Sequence, residues 1–188
     1  MPDDTLDALG AALLARARNA IGSQFGEAAL PEPAHPALAQ PGATFVTLMQ
    51  DGGLRGCIGS LEAWRPLDVD VHENARAAAF RDPRFNPLRH DEFARTRVEV
   101  SLLTPAVELH FTDEADALRQ LRPNIDGVIF ECHDRRGTFL PQVWEGLPEP
   151  KQFFAHLKQK AGFAADFWSP DVKLYHYEVQ KWKEPQNN

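Results

Sequence analysis

The stretch ATFVTLMQDGGLRGCIGS, residues 43–60, decides how the chain folds. Ala43 to Gln50 is rich in residues that suit a pleated strand, Asp51-Gly52-Gly53 is hairpin-turn chemistry, and Leu54 to Ser60 returns antiparallel. Upstream, Leu6, Leu9, Leu13, Ala17 and Ile21 fall on one helical stripe, so Asp4 to Ile21 is predicted to be an amphipathic helix packed on a sheet. Between them, Gly26 to Gly42 carries Pro31, Pro33, Pro36 and Pro41 with little periodicity. An extended surface connection is expected there, long enough to be an arm or a lid.

Downstream, Leu67 to Arg81 has good helix formers and stops before Asp82-Pro83, because proline disfavours helical geometry in the residue before it. Arg97 to Leu103 alternates, with Val98, Val100 and Leu102 on one face and Glu99 and Ser101 on the other, as a half-buried strand requires. Ala106 to Phe111 reads as a shorter strand, Asp113 to Leu121 as a helix and Gly127 to Cys132 as an apolar strand. Asp134-Arg135-Arg136-Gly137 then turns the chain into Thr138 to Leu140. Pro150 to Lys160 is a helix with Phe153, Phe154 and Leu157 inward, and Val172 to Val179 is the last strand. Hairpins and single helices without regular βαβ alternation predict an α+β fold, an antiparallel or mixed sheet with helices packed on it.

At 188 residues with 43% apolar content the chain can bury a core as one domain, with or without a smaller lobe. No apolar run approaches the roughly 20 residues of a membrane span, and the amino terminus is acidic where a secretory signal is basic, so a cytoplasmic location is expected. A net charge of -7 with scattered Lys and Arg counts against nucleic acid. Cys57 and Cys132 are too few for a disulfide scaffold and lack zinc spacing, which predicts reduced thiols. The histidines, His72 and His133 among them, have no spacing of a two-histidine metal site, so no metal is expected.

Period-two alternation puts Arg55, Cys57 and Gly59 on one strand face, with Arg55 roughly 6 to 7 Å from the thiol. A cation there favours a thiolate, while Gly56 and Gly59 leave room for a substrate or partner strand to approach the backbone. The plainer reading of a lone strand cysteine is a small buried hydrophobe; Arg55 on its face tips the balance toward function. Cys132 alternates in phase with Val128 and Phe130 and is expected to be inert in the core.

The hexapeptide Leu54-Arg55-Gly56-Cys57-Ile58-Gly59 resembles the signature of the AMMECR domain family, called AmmeMemoRadiSam system protein A in prokaryotes. Three further segments resemble it in the same order: Ala77 to Phe85 (AAAFRDPRF), Glu99 to Leu103 (EVSLL) and Gly137 to Trp144 (GTFLPQVW). The likeness runs from about Leu6 to Val179. It implies two unequal lobes with a cleft between them, the hexapeptide as a functional site, and the company of a Memo-like protein and a radical SAM protein in redox or modification chemistry. It supplies neither substrate nor cofactor.

Pairing the strand of Glu99 beside that of Cys57 would bring Glu99 within reach of Arg55, either as an orienting charge or as an acid or base. Cys57, Arg55 and Glu99 are thus the candidate catalytic set. Gly56, Gly59, Ser101, Arg84, Phe85, Thr138, Gln142 and Trp144 are the candidate contacts to a small molecule. For Arg84 and Phe85 the alternative is a salt bridge and an aromatic plug, for Gln142 a backbone cap, and for Trp144 an anchor for the final helix. Two functions follow: an enzyme or enzyme subunit working through Cys57, or a non-catalytic adaptor docking its partners through residues 54–59.

Overall fold

Asp51 and Gly52 both take positive φ, 50° and 77°, and turn strand β1 (Ala43–Gln50) back onto β2 (Gly53–Gly59). The structure is a computed structural model that describes residues 4–185, with side chains from Ala8 onward. It divides into two compact units: residues up to Leu103 with those from Gln180 on, and Thr104–Val179.

In the first unit β1 is central. It pairs antiparallel with β2 on one side and with β3 (Arg97–Leu103) on the other, and the last strand, β8 (Val179–Lys183), completes the order β2-β1-β3-β8. Helices α1 (Asp4–Gly22) and α2 (Leu67–Phe80) cover the face formed by Val46, Leu48, Val98 and Val100. The helical stripe read from sequence is this contact: Leu9, Leu13, Ala17 and Ile21 are buried, and the side chain of Leu6 lies outside the described residues. Helix α2 is tied to the sheet by a polar cluster. The carboxylate of Asp70, fully buried, accepts bonds from Thr44 N (2.7 Å), Thr44 Oγ1 (2.8 Å), Ser60 Oγ (2.6 Å), Arg65 Nε (2.8 Å) and Asn74 Nδ2 (3.0 Å). A buried charge is tolerable only with partners of this number and kind.

The second unit is another antiparallel sheet, ordered β4-β7-β5-β6, from β4 (Val107–Leu109), β5 (Gly127–Cys132), β6 (Arg135–Phe139) and β7 (Lys173–Tyr177). With α4 (Glu114–Gln120) and α5 (Pro150–Lys160) it encloses Phe130, Trp144, Phe153, Phe154, Leu157 and Cys132. Lys158 is buried there. Its Nζ lies over the Phe154 ring, 4.9 Å from the centroid, and donates to Glu114 Oε1 (2.8 Å) and Phe167 O (2.9 Å).

The α+β class and the antiparallel sheets agree with the sequence; several boundaries do not. The turn after β5 is His133-Asp134, with His133 at φ 54°, so Arg135 and Arg136 are already strand. The expected final strand is two, because the chain leaves the second sheet after Tyr177 and enters the first at Val179. Within the proline-rich connection, Pro36–Ala39 forms a 3-10 turn, and the short helix α3 (His90–Phe93) was not foreseen. No helix among the described residues is long and apolar enough to cross a membrane.

Candidate functional site

Cys57 sits on β2, an edge strand, on the sheet face away from α1 and α2. Its register partner on β1 is Thr47, which in turn opposes Glu99 on β3, so Cys57, Thr47 and Glu99 form one row across three strands. The thiol is half-buried, and its hydrogen-bond partner is a hydroxyl, Thr47 Oγ1, at 3.3 Å.

An edge strand presents unpaired N–H and C=O groups. At Cys57 both are taken up by the segment after α2. Cys57 N–H donates to Asp82 Oδ2 (2.9 Å), and Arg84 Nη2 donates to Cys57 O (3.2 Å). Arg84 also donates to Asp82 through Nε (3.0 Å), Nη2 (2.7 Å) and its backbone N–H (3.0 Å). Asp82 and Arg84 therefore stand in for a fifth strand at this one residue. The side-chain bonds from Arg84, acting against burial and helped by the two backbone N–H groups, hold the Asp82 carboxyl far below the usual carboxylate range. Asp82 pulls the Arg84 guanidinium upward in return. Phe85 lies against both guanidinium groups, 5.5 Å from Arg84 and 5.9 Å from Arg55.

Three expectations are corrected. Arg55 is not paired with Glu99. A β-bulge shifts the register between Leu48 and Met49, so that Leu48 opposes Gly56, Met49 opposes Leu54, and Arg55 is the extra residue. Alternation breaks there, and Arg55 turns to Glu92 of α3 in a two-pronged pair, Nε to Oε1 at 3.1 Å and Nη2 to Oε2 at 3.0 Å. The bonds from Arg55, outweighing burial, lower the Glu92 carboxyl below its ordinary value. Glu99 is separated from β2 by β1 and meets Arg97, Lys181 and Lys183 instead.

The glycines leave no vacant approach. A Cβ on Gly56 would stand 2.2 Å from the carbonyl oxygen of Ala78 in α2, and one on Gly59 would stand 2.3 Å from Cγ of Phe45. Their spaces hold the protein's own helix and its own ring, and no substrate or partner strand fits there.

Trp144 lines no open pocket. It is fully buried, stacks on Phe153 at 3.6 Å and donates Nε1–H to Asp126 O at 2.8 Å, the anchoring role of its alternative reading. Of the other candidates, Ser101 is buried and lies in the row of Phe45 and Gly59, on the sheet face away from α1 and α2. Thr138 and Gln142 belong to the second unit, where the Thr138 hydroxyl meets Tyr177 Oη at 3.2 Å and Gln142 is exposed.

Sequence reasoning missed Thr47 and Glu92 around β2, and a His–Asp pair in the second unit. His176 Nδ1 lies 3.3 Å from Asp126 Oδ1. Burial pushes the Asp126 carboxyl up, but bonds from Arg122 and His176 more than offset that and leave it lowered. Only a His and an Asp spaced by a strand pairing would have signalled this dyad, and no local motif carries it.

A family model described as AMMECR1 matches residues 14–182. The chain is 38% identical over 157 residues to a protein of Methanothermobacter thermautotrophicus, covering 82% of this chain and 82% of that relative. It is 36% identical over 190 residues to the protein SSO0193 of Saccharolobus solfataricus, covering 94% and 83%. The crystal structure of the uncharacterized protein PH0010 from Pyrococcus horikoshii matches with a TM-score of 0.77 and 31% identity over 94% of this chain and 92% of that one.

Proposed function

Since the chain belongs to the AMMECR1 family, we propose that it is the thiol-bearing subunit of an enzyme, with Cys57 as nucleophile or carrier. Its partners in this reading are the Memo-like and radical SAM proteins that the family resemblance implies, acting together in the cytoplasm. The observation that carries the reading is how Cys57 is held: N–H bound by Asp82, C=O bound by Arg84, and the residue half-buried on a strand. A side chain mounted on a strand is positioned more closely than one on a loop. The sulfur meets a hydroxyl and not a base, so a partner supplies the proton acceptor. Exposed Arg84 and half-buried Phe85 offer a charge and a ring to whatever approaches. Ser101 remains a proposed contact in the first unit, while Thr138 and Gln142 belong to the second and are not assigned to the thiol. Gly56, Gly59, Glu99 and Trp144 drop out of the set around the thiol.

The test is a covalent adduct. With both partners supplied, mass spectrometry of the folded chain is expected to find added mass on the Cys57 peptide and none on Cys132, which is 1% exposed. The adduct should vanish in Cys57→Ser while co-purification with the partners persists. Absence of any partner-dependent mass on Cys57 in an intact assembly would remove the thiol from the mechanism.

A second reading, docking without catalysis, is favoured by apolar side chains exposed beside the signature strand: Leu54 at 44%, Leu61 at 45% and Trp64 at 71%. Under it, Trp64→Ala weakens co-purification and Cys57→Ser changes nothing.

A further inference from the structure

Strands β3 and β8 bring three cations to one carboxylate. Glu99, buried on the sheet face away from α1 and α2, takes Arg97 Nη2 at 2.9 Å, Lys181 Nζ at 3.4 Å and Lys183 Nζ at 3.8 Å. One negative charge balances one of the three, so the cluster keeps a local excess of positive charge in a chain whose net charge is -7. Arg97 spends Nη2 on Glu99, while its Nε is shut off from solvent with no acceptor. Its fork of donors is therefore not exhausted by the ion pair.

Arg97, Glu99 and Lys183 stand in the wall of a hollow of about 1010 Å³ that lies wholly within the first unit. The other cations on that wall already have partners. Arg18 is bound to Glu184 (Nε to Oε1, 2.8 Å), and Arg95 lies 3.5 Å from Asp51. Met49, Phe93, Leu30 and Pro185 supply apolar surface around the same space. Glu27, hydrogen-bonded to His90, is the remaining carboxylate on the wall, so the Glu99 cluster is where cations outnumber carboxylates. A large hollow with such a cluster and apolar side chains on the same wall suits a ligand with an anionic head and an apolar body.

We propose that this hollow binds a small organic phosphate monoester, its phosphate met by Arg97 and Lys183 with Lys181 behind them, and its aromatic or apolar body resting on Met49, Phe93 and Leu30. The excess positive charge suits a dianion better than a single carboxylate, and the Arg fork suits phosphate oxygens. Cys57 does not line the hollow, so the site stands whether or not the thiol is reactive.

Isothermal titration of the full chain with phenyl phosphate at low salt tests the site. Saturable binding is expected, with phenol and inorganic phosphate each weaker by about tenfold or more, since each lacks one half of the recognition. The double variant Lys181→Met/Lys183→Met removes side chains that are about half exposed and leaves Glu99 its Arg97 partner, so it should stay folded at the titration temperature, which its melting curve checks. Its affinity for phenyl phosphate should fall about tenfold or more. Lys151→Met/Lys173→Met carries the same change of net charge on exposed positions of the second unit and should bind within about twofold of the parent. Phenyl phosphate binding no tighter than phenol, or no tighter than inorganic phosphate, overturns the proposal. So does an affinity unchanged in the first double variant or equally lost in the second.

Discussion

Gly56→Ala is expected to cost the protein about 3 kcal/mol of stability, a fall of roughly 10 °C in melting temperature. The added methyl carbon would stand 2.2 Å from the carbonyl oxygen of Ala78 and 3.2 Å from its carbonyl carbon, so both colliding groups are main chain. Helix α2 cannot back away freely, because the Asp70 cluster ties its first turn to Thr44 and Ser60. Gly59→Ala meets the Phe45 ring instead, which can rotate, and should cost less. Thermal and urea unfolding of the two variants check the order. A Gly56→Ala protein within about 0.5 kcal/mol of the parent would mean that the strand and helix do not approach this closely. The same measurement limits what can be learned from bulky residues at Gly56, since a lost complex would then report a damaged fold.

Asp82→Ala is expected to destabilise by about 2–3 kcal/mol at pH 7, the size of charge-assisted bonds lost from a buried acceptor, reduced because Arg84 is exposed. Its pH dependence carries a definite sign. The folded carboxyl is held below its ordinary value, so as pH falls the unfolded chain takes up its proton first. The stabilisation is fully present above the unfolded pKa of about 3.9 and is lost as pH drops through the interval toward the folded value. Urea melts should therefore show a gap between parent and variant that is constant from pH 7 to about 5 and narrows below about 4. A gap of the same size at pH 3 would assign the effect to packing and not to charge. Asp82→Ala also frees the N–H of Cys57, so the same variant loosens the thiol's mount.

Much of the fold could be read from periodicity, because period and burial coincide in most segments. Val98 and Val100 alternate toward the helices, and Phe153, Phe154 and Leu157 share one side of α5. The site was less legible for a specific reason. A two-residue turn at Asp51-Gly52 pairs Gln50 with Gly53 and Met49 with Leu54, and continued without interruption it would set Thr47 opposite Gly56. The bulge at Arg55 adds one residue and sets Thr47 opposite Cys57 instead. Strict alternation therefore gave the face of Cys57 but the wrong direction for Arg55. Strand order is the other missing quantity: nothing local to Glu99 says that β1 lies between it and β2. The Asp82–Arg84 clasp on Cys57 joins two of the four signature segments, and that linkage of residues far apart in sequence becomes visible only in space.

The sheet of the first unit is sewn shut by the end of the chain. β3 is followed by all of Thr104–Glu178 before β8 arrives beside it, and Glu184 then donates its N–H to Val98 O and accepts Val98 N–H and Arg18 through its carboxylate. On a ribosome the intervening segment takes about 4 to 15 s to make at 5–20 residues per second. Throughout that interval the nascent chain carries β3 as a raw border, without the strand that covers it. Such late closure makes the growing polypeptide a natural client for a chaperone, and makes a prematurely stopped product prone to stick to its own kind.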